Sequence, residues 1–333
     1  LSSSTYDVCA LGNAIVDIVA DVDENFLRQQ HIAKDTMMLV DSARITQLRK
    51  SLKKARAVRA GGAAGNMVAG IASFGGKAAY MGKIGHDDVG QLFSADLKKL
   101  GVYFPTVPMT HEGETTGLCI SFVTPGAHRT MCTHLGASVD FGANDVHTGT
   151  IRASQIIFLE GYMLDRASTR LALMFAASEA RKAGCKVALS LCDPLCVERN
   201  RHDFLDLLQS KTDLLFANEK ELIALTKLSG LDAAIDAVKV SVDTAIITRS
   251  EKGAVIVHAG QQLVAPAEPV PHVVDKTGTG DAYAAGFLFG LARGLDLKIC
   301  GKLGALAAAE VISHYGPRPE HSLAELAKKK GLL

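Results

Sequence analysis

Short apolar runs alternate with helical stretches along most of this 333-residue chain, and that alternation limits the fold more than any other feature. IIFLEG (156–161), KVALSL (186–191), DLLFAN (213–218), TAIITR (244–249) and AVIVH (254–258) read as buried strands. STRLALMFAASEARKAG (168–184) reads as a helix stopped by its glycine. YDVCALG (6–12) is an opening strand, and GGAAGNMVAGIASFGG (61–76) a glycine turn running into a helix of small residues. Strands separated by helices predict a mainly parallel sheet with helices on both faces. Two strand-rich pieces, 17–60 and 107–136, interrupt the pattern. They are expected to form a small β lid, leaving 1–16, 61–106 and 137–333 as one large α/β domain. The same pieces could instead be antiparallel edge strands of the main sheet. Residues 45–58 are basic and helical in period.

Charge and composition exclude several classes. Lys+Arg is 36 against Asp+Glu 35, a net charge of +1, where a nucleic-acid polymer or an anionic membrane would select a basic surface. No apolar run reaches the ~20 residues of a membrane helix. The seven cysteines are odd in number and irregularly spaced, which fits buried thiols in a reducing, cytoplasmic setting. Cys192 and Cys196 lack the second pair that a zinc site needs.

Two common phosphate-binding designs fail. A P-loop needs G-x-x-x-x-G-K-[ST]; the nearest stretch, Gly75-Gly76-Lys77-Ala78, has Ile71 and Ala78 at required positions. A dinucleotide fingerprint needs a third glycine that neither Gly12-Asn13-Ala14 nor Gly278-Thr279-Gly280 supplies, which disfavours a nicotinamide oxidoreductase. VVDKTGTGDAYAAGFLFG (273–290) is more informative. A short strand ends at Asp275, a loop of small residues follows, and a helix is predicted from about Asp281. Free N–H groups at a helix start bind anions, and glycines let backbone come close to phosphate oxygens. Asp281 in that field could take a proton from an attacking hydroxyl, or could simply cap the helix.

DKTGTGDAYAAGF resembles the C-terminal signature of the ribokinase/PfkB carbohydrate-kinase family, usually D-T-x-G-A-G-D. Residues 60–90, AGGAAGNMVAGIASFGGKAAYMGKIGHDDVG, resemble its N-terminal signature. Gly12-Asn-Ala-Ile-Val-Asp17 is similar to its substrate-binding strand end, and Asn218-Glu-Lys-Glu221 to its N-x-x-E motif. The four stand in family order across nearly the whole chain. Lys276 and Thr279 depart from the usual Thr and Ala.

The resemblance implies a ribokinase-like three-layer α/β sandwich with a β lid. It implies a phosphotransferase with an alcohol group as acceptor, moving the γ-phosphoryl of ATP to a primary hydroxyl with Mg²⁺. Asp281 would be the base, and Gly278, Thr279 and Gly280 the anion hole. Asp17, Asn13, Gly62 and Asn66 would hold substrate; Asp17 can accept from two neighbouring hydroxyls. Asn218 and Glu221 would organise Mg²⁺ through water, and Thr248 and Gly253 would border the nucleotide. Arg129, at the PGAHR turn, resembles an arginine that adenosine-kinase-like members carry on the lid. A monovalent cation such as K⁺ near the anion hole, and a homodimer formed through lid strands, belong to the same family pattern. Adenosine is the favoured acceptor, a ribose- or fructose-type sugar the alternative. A non-catalytic nucleoside- or sugar-binding relative is the reading from another class. A purine site would need an aromatic face from a Phe or Tyr, since the chain has no Trp.

Overall fold

Among the described residues, thirteen strands fall into two separate sheets. The computed structural model describes residues 4–110, 115–125 and 128–333. The larger sheet comprises β1 (Tyr6–Leu11), β5 (Ala78–Met81), β8 (Ser154–Glu160), β9 (Lys186–Ser190), β10 (Leu214–Asn218), β11 (Thr244–Thr248), β12 (Ala254–His258) and β13 (Gln261–Ala265). Its order is β13-β12-β11-β10-β9-β8-β1-β5, parallel from β5 to β11, with β12 and β13 antiparallel at one edge. The mainly parallel sheet predicted from the alternation is therefore present. It also contains an edge strand, β13, that the sequence pattern did not announce.

Alternate residues of each strand feed two cores, as a period of two requires. Val8, Ala10, Ile156, Phe158 and Phe216 face one side, packed with helices Ala63–Ser73, Thr279–Ala292 and Leu297–Ile312. Cys9, Leu11, Ile157, Leu159 and Leu215 face the other, with helices Ala167–Ala183, Arg201–Lys211 and Glu219–Thr226. Helix on sheet on helix makes three layers. All seven cysteines are free thiols.

The second sheet contains β2 (Ile15–Asp21), β3 (Met37–Leu39), β4 (Ala57–Ala60), β6 (Gly117–Thr124) and β7 (His128–His134), in the order β3-β7-β6-β2-β4. One face carries Ile18, Ile120, Phe122 and Cys132 into a core with Leu27, Ile45 and Leu48. The Phe122 ring lies 5.5 Å from that of Phe26, so the face shared by Ile120 and Phe122 is filled by the chain's own helices. The opposite face carries Asp17, Cys119 and Thr133 in one row across β2, β6 and β7. The helical period read over 45–58 ends early: the helix is Ser42–Ser51, and Ala57–Ala60 pairs with β2 instead. Pairing to a neighbouring strand outweighs the weak local propensity of a short basic run.

Strand order reverses at β1, which has β5 on one side and β8 on the other. A crevice opens at the carboxyl ends of strands at such a point, and ligands bind there in open α/β sheets.

Candidate active site

Gly12 and Asn13 follow β1 directly into that crevice. The side chain and backbone N–H of Asn13 both donate to Glu160 Oε1, at 3.2 Å each. Glu160 ends β8 and is fully buried; its other oxygen accepts from Ala64 N at 2.9 Å. One carboxylate thus ties the end of β1 to the start of helix Ala63–Ser73. Burial pushes Glu160 up to about 7, opposed by these three hydrogen bonds. Gly62 caps that helix with φ 76°, and a Cβ there would strike the Asn13 carbonyl, so the turn requires glycine. Gly61 lies against the Asp17 carboxylate with no room for a side chain.

Helix Thr279–Ala292 begins two residues earlier than the sequence pattern suggests, with Gly278 as its cap at φ 73° and no side-chain capping bond. Asp281 is therefore the third helical residue and does not cap the helix. Its Oδ2 accepts from Asn66 Nδ2 at 3.0 Å. The other polar atom of Asn66, Oδ1, is buried with no partner among the described residues. Burial raises Asp281 to about 6, against the lowering effect of Asn66. A Cβ at Gly278 would come within 2.5 Å of Pro317, so the loop is backed by the segment after helix Leu297–Ile312. A Cβ at Gly280 would meet nothing within 4 Å; the helix start opens onto free space. Of the first-turn N–H groups, Thr279 N donates to the Lys276 carbonyl at 3.4 Å, while those of Gly280 and Asp281 have no intrahelical acceptor.

Asp17 is half-buried at the floor of the second sheet. Burial pushes it up to about 7; Arg318 and Arg129 pull it down, Asp281 and Asp275 push it up. Asp17, Asp281, Asn66, Gly62 and Asn13 therefore come together in one crevice. Arg129, on β7, reaches the same place. Its guanidinium donates to Thr277 Oγ1 and to the buried Asp275, so the second sheet is bonded to the glycine loop. Asp275 also accepts from Thr277 N at 2.9 Å and Gly316 N at 2.8 Å.

Asn218 and Glu221 stand at the end of β10 and the start of helix Glu219–Thr226. They cap each other: Glu221 N donates to Asn218 Oδ1 at 2.9 Å, Asn218 N to Glu221 Oε2 at 2.8 Å, and Asn218 Nδ2 to Glu221 Oε1 at 2.6 Å. Glu221 is buried and raised to about 7, with Asp193 and Asp281 contributing. Thr248 pairs with Asn218 across β10 and β11. Gly253, φ 79°, turns the chain from β11 into β12 against the Ala265 carbonyl. Among the described residues no three His, Cys, Asp or Glu side chains are placed to cage a metal. Among the described residues no helix is long and apolar enough to cross a membrane.

Two residues of this constellation, Glu160 and Arg318, lie outside the motifs read from the sequence, and Asp275 opens the glycine-loop motif without a role assigned to it there. Arg318 is 4% exposed and pairs with Asp96 at 2.6 Å.

Comparison with known proteins agrees with this architecture. A model of the pfkB family carbohydrate kinase matches residues 7–322. The adenosine kinase of Saccharomyces cerevisiae is 26% identical, covering 94% of this chain and 96% of that one. The crystal structure of adenosine kinase from Sinorhizobium meliloti is 40% identical with a TM-score of 0.92, covering 98% of this chain and 100% of the other. That of a probable sugar kinase from Rhizobium etli is 38% identical with a TM-score of 0.92, covering 99% and 100%. The class is thus a phosphotransferase with an alcohol group as acceptor, acting on a nucleoside or a sugar. The chain belongs to the pfkB family of carbohydrate kinases.

Proposed function

We propose that the protein is an ATP-dependent kinase whose acceptor is the primary hydroxyl of a nucleoside, with adenosine favoured. The observation that carries this reading is Asp281, a half-buried carboxylate in the first turn of a helix whose start opens beside Gly280, held by Asn66 at 3.0 Å. A base poised about 6 is ionised at neutral pH yet basic enough to accept a hydroxyl proton. Asp281 takes that proton as the hydroxyl oxygen bonds to the γ-phosphorus and the bond from that phosphorus to the β–γ bridging oxygen of ATP breaks, releasing ADP. The N–H groups of Gly278, Thr279 and Gly280 form, on this reading, the anion hole for the charge that gathers on the phosphoryl oxygens. ATP supplies the γ-phosphoryl group.

Asp17 accepts from two adjacent hydroxyls of the substrate ring, Gly61 and Gly62 let the ring approach backbone, and Asn13 and Asn66 complete the polar lining. Arg129, already bonded across to Asp275 and Thr277, lies beside the transferring group. Asn218 and Glu221 fit Mg²⁺ through its waters: both Glu221 oxygens accept from Asn218 and each keeps a lone pair for a water hydrogen. Thr248 and Gly253 border the nucleotide side. The free cysteines support a reducing, cytoplasmic setting.

A second reading, a ribose- or fructose-type sugar kinase, has support in the 38% identity to the probable sugar kinase. A phosphorylation screen over adenosine, other nucleosides, ribose, fructose and hexose phosphates decides between them. Turnover of adenosine above all sugars supports the proposal; turnover of a sugar alone replaces it with the second reading. Calorimetry on Asp17→Ala tests the substrate site, and unchanged affinity for the accepted substrate would sink that assignment.

A further inference from the structure

One turn meets both sides of the crevice. It runs from Tyr315 to His321, after helix Leu297–Ile312. On the phosphoryl side, Gly316 N donates to Asp275 Oδ2 at 2.8 Å and Pro317 lies against Gly278, where it leaves no room for a Cβ. On the acceptor side, Arg318 Nη1 donates to Asp96 Oδ2 at 2.6 Å. The same oxygen accepts from Ala60 N at 3.0 Å, just before the Gly61-Gly62 turn.

The turn is held in shape by the large domain alone. Glu310, buried in the last turn of helix Leu297–Ile312, accepts on Oε1 from Glu320 N at 3.0 Å and His321 N at 2.9 Å. Its Oε2 faces His314 Nε2 at 3.1 Å. Backbone N–H groups bonded to a carboxylate are among the stronger hydrogen bonds a turn can have.

Two arginines of the second sheet rest on this fixed surface. The Arg56 guanidinium lies 4.1 Å from the centre of the Tyr315 ring. Arg59, on β4, reaches Glu320 Oε1 at 3.4 Å. Arg56 is oriented by Asp21 of β2 at 2.7 Å, a bond within the second sheet that ties nothing to the large one. Arg59 stands directly opposite Asp17 in the register of β2 and β4. The strand beside Asp17 is therefore docked on the turn, and the turn on Gly278 and Asp275. Arg129 makes a second, separate bridge to Asp275.

We propose that the Tyr315–His321 turn is the seat of the second sheet, and that Arg56 and Arg59 are positioning residues which hold Asp17 in register with the glycine loop. This rests on the reading of Asp17 as the acceptor residue. With the sheet seated, a hydroxyl held by Asp17 is presented toward Asp281; unseated, the acceptor has only half of its site. A binding-competent arrangement that is less populated lowers apparent affinity by the same factor. An exposed cation–π contact and an exposed ion pair each shift such a balance by about two- to fivefold. The Arg129 bridge remains, so losing the seat weakens acceptor binding without abolishing it.

The test is calorimetry with adenosine, or with ribose should adenosine not bind, and separately with Mg²⁺ and ATP, beside steady-state kinetics. In the double variant Arg56→Gln/Arg59→Gln the acceptor binds about five- to tenfold more weakly and its KM rises to match. Turnover at saturating acceptor and the affinity for ATP stay at wild-type values. Both arginine side chains are more than a third exposed, so the melting point moves by only about 1 °C. Arg56→Gln weakens acceptor binding in an otherwise wild-type chain but has no effect once Tyr315→Leu has removed the ring, whereas Tyr315→Phe, which keeps a ring face, binds like wild type. Arg59→Gln depends on Glu320 in the same way, and this exposed pair carries the cycle should Tyr315→Leu fail to fold. If neither adenosine nor ribose binds, or if Asp17→Ala binds as tightly as wild type, the reading of the site fails and the proposal with it. If Asp17→Ala loses binding while the double arginine variant keeps wild-type affinity, or while the arginine and turn substitutions act independently, the site stands and the seat is overturned.

Discussion

Replacing Asp281 by Asn should cost activity and gain stability, and the gain should depend on pH in a defined way. Burial carries this carboxyl from its ordinary 3.8 to about 6 in the folded chain. A folded value above the unfolded one means the ionised group penalises folding. The penalty is absent below the unfolded value and complete above the folded one. Between 3.8 and 6 it grows to about 3 kcal/mol, at 1.36 kcal/mol per pH unit. A carboxylate in a first helical turn regains about 0.3–1 kcal/mol from the helix dipole, leaving about 2 kcal/mol. Asn at this position still accepts from Asn66, so the local packing survives.

At an unfolding entropy of about 2.1 cal/mol/K per residue, a chain of this length melts about 3 °C higher for 2 kcal/mol. The same linkage at pH 5 leaves roughly half of the penalty, and so about half of the shift. Thermal melts of both proteins at pH 8 and pH 5, without ligand, measure it. Turnover at pH 8 should fall about 10²–10⁴-fold with substrate affinity kept, the usual worth of a general base. An equal melting shift at both pH values, or a lower melting point at pH 8, would refute the electrostatic reasoning. Turnover within tenfold of wild type would remove Asp281 from the base role.

Three further outcomes follow from the geometry. Gly278→Val places a branched side chain at φ 73° and within 2.5 Å of Pro317, and should cost about 2–3 kcal/mol in a denaturant titration with loss of turnover. Glu160→Ala leaves Asn13 N, Asn13 Nδ2 and Ala64 N without an acceptor; it should lower stability by about 2 kcal/mol or more and weaken adenosine binding in calorimetry. Arg129→Ala frees the second sheet from Asp275 and Thr277 and leaves the buried Asp275 carboxylate unpaired; steady-state kinetics should show kcat/KM reduced at least tenfold, with a lower melting temperature.

Much of this molecule is legible in the sequence because its signals are local. A strand of the parallel sheet declares itself by a continuous apolar run, and Gly278, Gly62 and Gly184 stand where φ is positive. The unannounced parts depend on distant partners. Strand β13, QQLVA, is exposed along most of its length, so no burial pattern marks it. Glu160 acquires its importance from Asn13, 147 residues away, and Arg318 from Asp96, 222 residues away. A buried charge looks like any surface charge until the fold supplies its neighbours. Asp281 shows the intermediate case: its motif was visible, but its place as third helical residue depends on Gly278, whose conformation is fixed against Pro317.

The overall charge of +1 conceals an acidic crevice. Asp17, Glu160, Glu221 and Asp281 all sit in it with values raised to about 6 or 7. Two arginines reach it, and each is already paired with a carboxylate, Arg129 with Asp275 and Arg318 with Asp96. From these two arginines a phosphate chain entering here gains little free positive charge. On the proposed reading the attraction would come from backbone N–H groups at the helix start, from exposed Lys276 in the glycine loop, and from a cation held through water near Glu221 and Asn218. Raised carboxyls also mean that the ligand-free protein grows less stable as pH climbs from about 4 to 7, each group losing its contribution as it ionises. Binding a cation in this crevice should offset that loss, so the melting point at pH 8 should rise with Mg²⁺ and ATP more steeply than it does at pH 5.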